Sequence, residues 1–223
     1  MDEAERESAV DTLTCRKSWA MRLLVDVENG RIERGEISAW HARQIQNFDS
    51  DELNKKLAAV WGKIRNTDES RKQQMAALRE LLTDEKIAAA DKKRGKLLFE
   101  KNCASCHVLF GKGKNVGPDL TGGDRKNLNY LLENIVDPSA SIAQNFRSSI
   151  LALEDGRTIN GVITKTLNGI IHLQTKDEVL RIPESDVEDQ RETELSLMPN
   201  QLLDSLTDDE KADLFGWLMS NGS

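Results

Sequence analysis

The spacing of apolar residues changes character twice along this chain. Over residues 1–90 they recur every three or four positions, as in amphipathic helices. Residues 18–27 are apolar on more than one face (Trp19, Met21, Leu23, Leu24, Val25, Val27), and Asn29-Gly30 closes that helix as a C-cap would. A second helix carries Ile37, Trp40 and Ile45. Asp49-Ser50 offers an N-cap for a third over 51–64, with Leu53, Leu57, Val60, Trp61 and Ile64 at helical spacing. A fourth follows Asn66-Thr67 and carries Met75, Leu78, Leu81 and Leu82. At this spacing Trp40 and Trp61 are packing residues rather than binding residues. His41 is expected on a surface or helix face, not as a ligand. The region is expected to be a helical array, or the tail of one, that gives support or a docking surface.

From Asp91 a helix over 92–102 places Gly95 and Phe99 on one side and leads into Cys103-Ala104-Ser105-Cys106-His107. A Gly- and Lys-rich loop follows, Phe110 to Val116, then Gly117-Pro118-Asp119-Leu120. That loop has neither the Gly-Lys-Ser/Thr ending nor the preceding strand of a phosphate cradle. A short helix over 127–136 ends at Asp137-Pro138. Near Asn145 the period drops to two. Residues 149–153, 158–166, 170–174 and 178–182 read as strands, joined by Glu154-Asp155-Gly156, by Leu167-Asn168-Gly169 and by a turn at Lys176-Asp177. These predict a small antiparallel sheet or partly closed barrel, with His172 on a strand face. The last segment returns to helix: Thr207 caps it with Glu210 three residues on, and Leu214, Phe215, Trp217, Leu218 and Met219 follow.

The expected fold is therefore mainly α, with a small antiparallel β insertion. Residues 1–90 form a helical region, 91–144 and 195–223 a helical domain around the Cys-His motif, and 145–194 an inserted sheet. At 223 residues there is enough chain for more than one core. No apolar run is long enough to span a bilayer. A net charge of −7, with no extended basic face, argues against nucleic acid as a partner.

Two thiols three residues apart with an imidazole directly after the second form the attachment signature of a c-type haem. On a short helical turn both sulfurs reach the vinyl groups on one edge of a porphyrin. His107 then comes under the iron as proximal ligand. CxxC also occurs in zinc knuckles and thioredoxin-like sites. Zinc would want a second ligand pair, but the remaining Cys is the distant Cys15, and His41 and His172 are isolated. A thioredoxin-like site would want a βαβ setting. Cys15 is expected as a buried or free thiol with no bridging partner. The acidic amino terminus lacks the apolar core of a secretory signal. Because haem is attached outside the cytoplasm, the expectation is a segment of a longer exported protein, periplasmic or otherwise extracytoplasmic.

In this order the pieces resemble a class I cytochrome c fold between Asp91 and Ser220. Gly95, Phe99 and Trp217 match the family's crossing of first and last helices, and Gly117, Pro118 and Leu120 match its Gly-Pro-x-Leu segment. The resemblance implies that the Pro118 carbonyl accepts a hydrogen bond from His107 and that Met198, on the loop before the final helix, is the distal ligand. The β insertion departs from small family members. It is similar to the haem-binding domain at the C-terminal end of large multidomain proteins in planctomycetes and verrucomicrobia, and residues 42–44 through 61–63 resemble the stretch that precedes it.

The resemblance thus implies one covalently attached haem c, with iron held by His107 and Met198. A filled coordination sphere favours single-electron transfer, and a thioether ligand raises the potential above that of a bis-His haem. The chain is expected to be an electron-transfer module with no catalytic site of its own. Its partner would be a redox protein or a fused dehydrogenase domain. Lys92, Lys93, Lys96, Lys101, Lys112 and Lys114 could steer an acidic partner, solvated helix faces being the plainer account of them. Arg125 is a candidate for a haem propionate. The competing expectations are a haem enzyme or gas sensor with an open or labile distal site, and a structural metal or interaction module.

Overall fold

The structure, a computed structural model, describes residues 3–122 and 124–222. In chain order the helices and strands are α1 (Glu3–Thr14), α2 (Lys17–Glu28), α3 (Ala39–Gln46), α4 (Asp51–Val60), β1 (Gly62–Ile64), α5 (Glu69–Leu81), α6 (Asp84–Ala88), α7 (Lys92–Asn102) and α8 (Leu128–Val136). There follow β2 (Ser141–Ala143), β3 (Ser149–Leu153), β4 (Thr158–Leu167), β5 (Ile170–Gln174), β6 (Val179–Pro183), β7 (Val187–Glu192) and α9 (Asp208–Leu218). Among the described residues helix, at 45% of the chain, outweighs strand, at 18%, so the expected mainly-α fold holds in part, beside a five-stranded antiparallel sheet.

The chain divides into two units. The first joins the residues up to Leu81 to Gly122–Gln144; the second joins Leu82–Thr121 to the residues from Asn145 onward. In the first unit Leu23, Leu24, Ile45, Leu53 and Trp61 are fully buried, and Trp61 Nε1 donates to the Ile37 carbonyl at 2.7 Å. His41 is buried here, not on a surface. Its Nδ1 accepts from the Ser38 backbone N–H at 3.1 Å, which leaves Nε2 to donate to Asp11 Oδ1 at 2.8 Å.

The helix expected over 51–64 ends at Val60. A Cβ on Gly62 would fall 2.3 Å from the Ile142 carbonyl oxygen. This glycine therefore lets β1 lie against β2, in the register Gly62↔Ala143. Residues 122–144 were expected with the Cys-His region, yet they group with the N-terminal helices. Arginines explain why: Arg65 pairs with the buried Asp137 at 2.6 Å, Arg43 with Glu133 at 2.7 Å, and Arg71 donates to the last carbonyl of α8, at Val136. Guanidinium groups at a helix C-terminus satisfy carbonyls that have no partner within the helix.

In the second unit α7 crosses α9. A Cβ on Gly95 would sit 2.0 Å from the Asp213 carbonyl oxygen and 2.8 Å from Trp217 Cβ, so only glycine permits this approach. Asp91 caps α7, accepting from the N–H groups of Lys93 and Arg94. Its own N–H donates to the buried Asp213 carboxylate at 2.7 Å, which also holds Arg94. Thr207 and Glu210 form a capping box at α9.

The sheet has five antiparallel strands in the order β6-β5-β4-β3-β7. Leu151, Leu153, Ile171, Leu173 and Ile182 are buried together against it. Four strands fall where alternation predicts them. The fifth, β7, reads Val-Glu-Asp-Gln-Arg-Glu and is exposed along nearly its whole length. It carries no apolar alternation because it is an edge strand, where charge blocks further pairing.

Candidate haem site

The Cys-His motif is a single tight turn at the end of α7. The Cys103 and Ala104 N–H groups both donate to the Phe99 carbonyl, at 2.8 and 3.0 Å. The Cys106 and His107 N–H groups donate to the Cys103 carbonyl, at 3.0 and 2.9 Å. The loop that follows folds back onto this turn. Lys114 donates to the Ala104 carbonyl at 3.0 Å, and Val116 and Gly117 donate to the Cys106 carbonyl at 2.9 and 2.8 Å. Gly113 makes the return possible. At φ +112° it adopts a conformation that side chains disfavour, and a Cβ there would meet the His107 carbonyl oxygen at 2.0 Å.

The imidazole of His107 is fixed on two sides. Its Nδ1 lies 2.8 Å from the Pro118 carbonyl oxygen. A carbonyl can only accept, so Nδ1 carries the proton and Nε2 is bare. Gly117 lies flat against the ring, where a Cβ would come within 2.6 Å of Cε1. Burial, partly offset by the Pro118 hydrogen bond, lowers the His107 pKa and keeps the ring neutral. A neutral, oriented imidazole with a free Nε2 is the donor an iron requires, and the Pro118 carbonyl is its supporting partner.

Cys103 and Cys106 are half-buried free thiols. Burial, and next the proximity of Cys106, push the Cys103 thiol up to about 12. Cys103 of the haem-free protein is thus expected to alkylate at pH 8 roughly a thousandfold more slowly than a thiol of ordinary pKa, about 8.5. Mass-spectrometric timing of iodoacetamide labelling checks this, with the exposed Cys15 as the fast internal standard.

Met198 lies half-buried on the loop between β7 and α9, in the same unit as His107. Its N–H donates to Ser196 Oγ at 3.1 Å. Arg125 belongs to the first unit and is buried there. His172 sits on β5, paired with Lys165 and Arg181. Met75 is buried on α5 and Met219 is the C-cap of α9. Among the described residues no group of three or more His, Cys, Asp or Glu is placed to hold a metal ion.

Sequence reasoning did not single out Phe110. This residue and Gly111 both have positive φ, 50° and 72°, and form the tight turn of a bridge between Leu109 and Lys112. The Phe110 ring meets Trp217 edge-on at 5.4 Å, which ties the loop after the motif to α9. A phenylalanine directly before a glycine was the available signal.

Paired free thiols and a neutral imidazole held by a carbonyl lie together on one turn, an arrangement suited to holding a c-type haem. A family model described as Cytochrome c matches residues 92–149, from α7 through the motif and α8 to the start of β3. The match supports a cytochrome c fold for this stretch, a c-type haem as its cofactor and a haem-based electron-transfer role. No curated protein matches the chain. Among the described residues no helix is long and apolar enough to cross a membrane.

Proposed function

We propose that the chain is the electron-transfer module of a larger extracytoplasmic oxidoreductase, carrying one haem c joined to Cys103 and Cys106, with iron between His107 and Met198. The observation that carries this is the His107 ring, whose proton is held on Nδ1 by Pro118, leaving Nε2 bare to act as a ligand. The residues fit the group: Gly117 leaves the imidazole uncrowded, and both thiols are free to form thioethers. Bound there, the haem supplies a one-electron couple.

This chain's residues set the conditions of that couple. Cys103 and Cys106 would hold the group through two thioethers. The hydrogen bond to Pro118 sets the angle of His107 and raises its basicity. Met198, as sixth ligand, would leave no open position for oxygen or substrate. Exposed Lys92, Lys93, Lys96, Lys101, Lys112 and Lys114 surround the motif in sequence and give an acidic redox partner a surface to approach. The sheet is an insertion within the cytochrome unit, as in the planctomycete-type domain.

Absorption spectra of both redox states test the proposal. Low-spin bands and a thioether-to-iron charge-transfer band are expected, and Met198→Ala should abolish the latter. The same variant should lower the potential by on the order of 0.1 V, within the span of about 0.8 V that axial ligands cover. An unchanged spectrum and potential would remove Met198 from the iron. High-spin ferric haem in the unsubstituted protein would favour the alternative, an enzyme or gas sensor with an open distal site.

A further inference from the structure

Three adjacent strands set a row of basic side chains straight across one face of the sheet. Lys165 on β4 is directly opposite His172 on β5, and His172 is opposite Arg181 on β6. Cross-strand partners share a face. Neighbouring strands lie about 4.8 Å apart, so the row is roughly 10 Å long. Lys165 and Arg181 are exposed and His172 is half-buried. The bulge between Ile163 and Lys165 brings Lys165 into line, and the Thr164 hydroxyl donates to the His172 carbonyl at 3.1 Å.

An apolar row flanks the basic one: Leu167, Ile170 and Pro183 are cross-strand neighbours on one side, while on the other Gln174 separates the buried Val162 from the exposed Val179. Leu167 is 56% and Val179 49% exposed, both large apolar side chains left uncovered on this face.

Like charges directly opposite one another destabilise a sheet. The charged groups that act on His172 are Lys165 from β4 and Arg181 from β6, while its own strand, Ile-Ile-His-Leu-Gln, adds none. Burial and these two cations lower its pKa together. Arg181 lies on the edge strand β6, where a charge also blocks further pairing, but that does not account for Lys165 and His172 on the strands inside it, whereas a bound anion would satisfy all three groups at once.

We propose that Lys165, His172 and Arg181 form an anion site on the outer face of the sheet. It takes the phosphate, sulfate or carboxylate head of a small, freely diffusing amphiphile, whose apolar body lies along Leu167 and Ile170. Two fixed cations hold the head, and His172 adds a third positive charge when protonated. Affinity therefore rises as pH falls through the His172 pKa, and ligand binding raises that pKa in turn. The site needs no haem and stands whether or not the electron-transfer reading does.

Octyl phosphate, below the concentration at which it forms micelles, is the probe, with inorganic phosphate as the headgroup alone. Both are titrated into the full chain while the His172 imidazole is followed by NMR. The expected result is a saturable shift with each, a raised His172 pKa, and about tenfold tighter binding of octyl phosphate, the effect of covering about two methylenes. Lys165→Gln with Arg181→Gln should weaken both ligands at least about tenfold and leave Tm unchanged or higher. Should the double variant not fold, each single substitution carries the same test. The proposal is overturned if the His172 signals do not saturate, or if the variants bind as well as the parent. It is also overturned if the shift needs phosphatidylglycerol vesicles, which would make the face a membrane contact.

Discussion

Gly95→Val is expected to cost the haem-bearing unit about 3 kcal/mol or more, near the upper end of overpacking effects. The first added carbon would lie 2.0 Å from the Asp213 carbonyl oxygen. That atom belongs to the backbone of α9 and cannot rotate away, so the two helices must separate. Separation also strains the bond from the Asp91 N–H to the Asp213 carboxylate, 2.7 Å long, and the pairing of that carboxylate with Arg94. Asp213 is buried, so losing these partners would leave an uncompensated charge. Whole domains are stable by only about 5–15 kcal/mol. Urea unfolding followed by tryptophan fluorescence should show the midpoint fall steeply, and a midpoint like that of the parent would mean the crossing is looser than described.

Gly117→Ala should do the reverse, with a small effect on stability and a large one on the haem. Its Cβ would approach His107 at Cε1, Nδ1 and Nε2, to 2.6, 3.0 and 3.2 Å. All three atoms belong to the free end of a side chain. The strain is relieved by swinging the imidazole, and the 2.8 Å bond to Pro118 is given up. The expected stability change is below about 1 kcal/mol, the worth of one neutral hydrogen bond. With His107 holding the iron as proposed, the expected shift in potential is on the order of 0.1 V, because the imidazole would lose its orientation and part of its basicity. Voltammetry and the low-spin fraction of the ferric protein measure the effect. An unchanged potential would show that Gly117 does not hold the ring in place.

The contrast between these two glycines bears on what was legible in the chain. Local chemistry was: the thiol-imidazole turn, helix α7, the Thr207 capping box and the Asp-Gly and Asn-Gly turns all follow from residues within a few positions of one another. Elements fixed by distant partners were not. Strand β1 is three residues long and exists because β2, far along the chain, lies beside it. Strand β7 carries charge where alternation would be sought, since only its pairing with β3 makes it a strand. The burial of His41 depends on Asp11, thirty positions away. The placement of 122–144 rests on arginines at 43, 65 and 71, whose partners no local pattern marks. At the Cys-His turn the spacing singles out His107, while its contact with Gly117 becomes visible only in three dimensions.

The polypeptide leaves the unit that contains the Cys-His turn at Thr121, builds α8 within the other unit, and returns at Asn145. Neither unit is an unbroken stretch of sequence, so the two are stitched together by covalent chain in both directions. A fragment trimmed to start at Asp91 would carry α8 without its arginine clamps, leaving Leu131, Leu132 and Val136 bare to water. The N-terminal helices and the unit that contains the Cys-His turn therefore share one continuous fold of chain, and moving either into a new host means moving both.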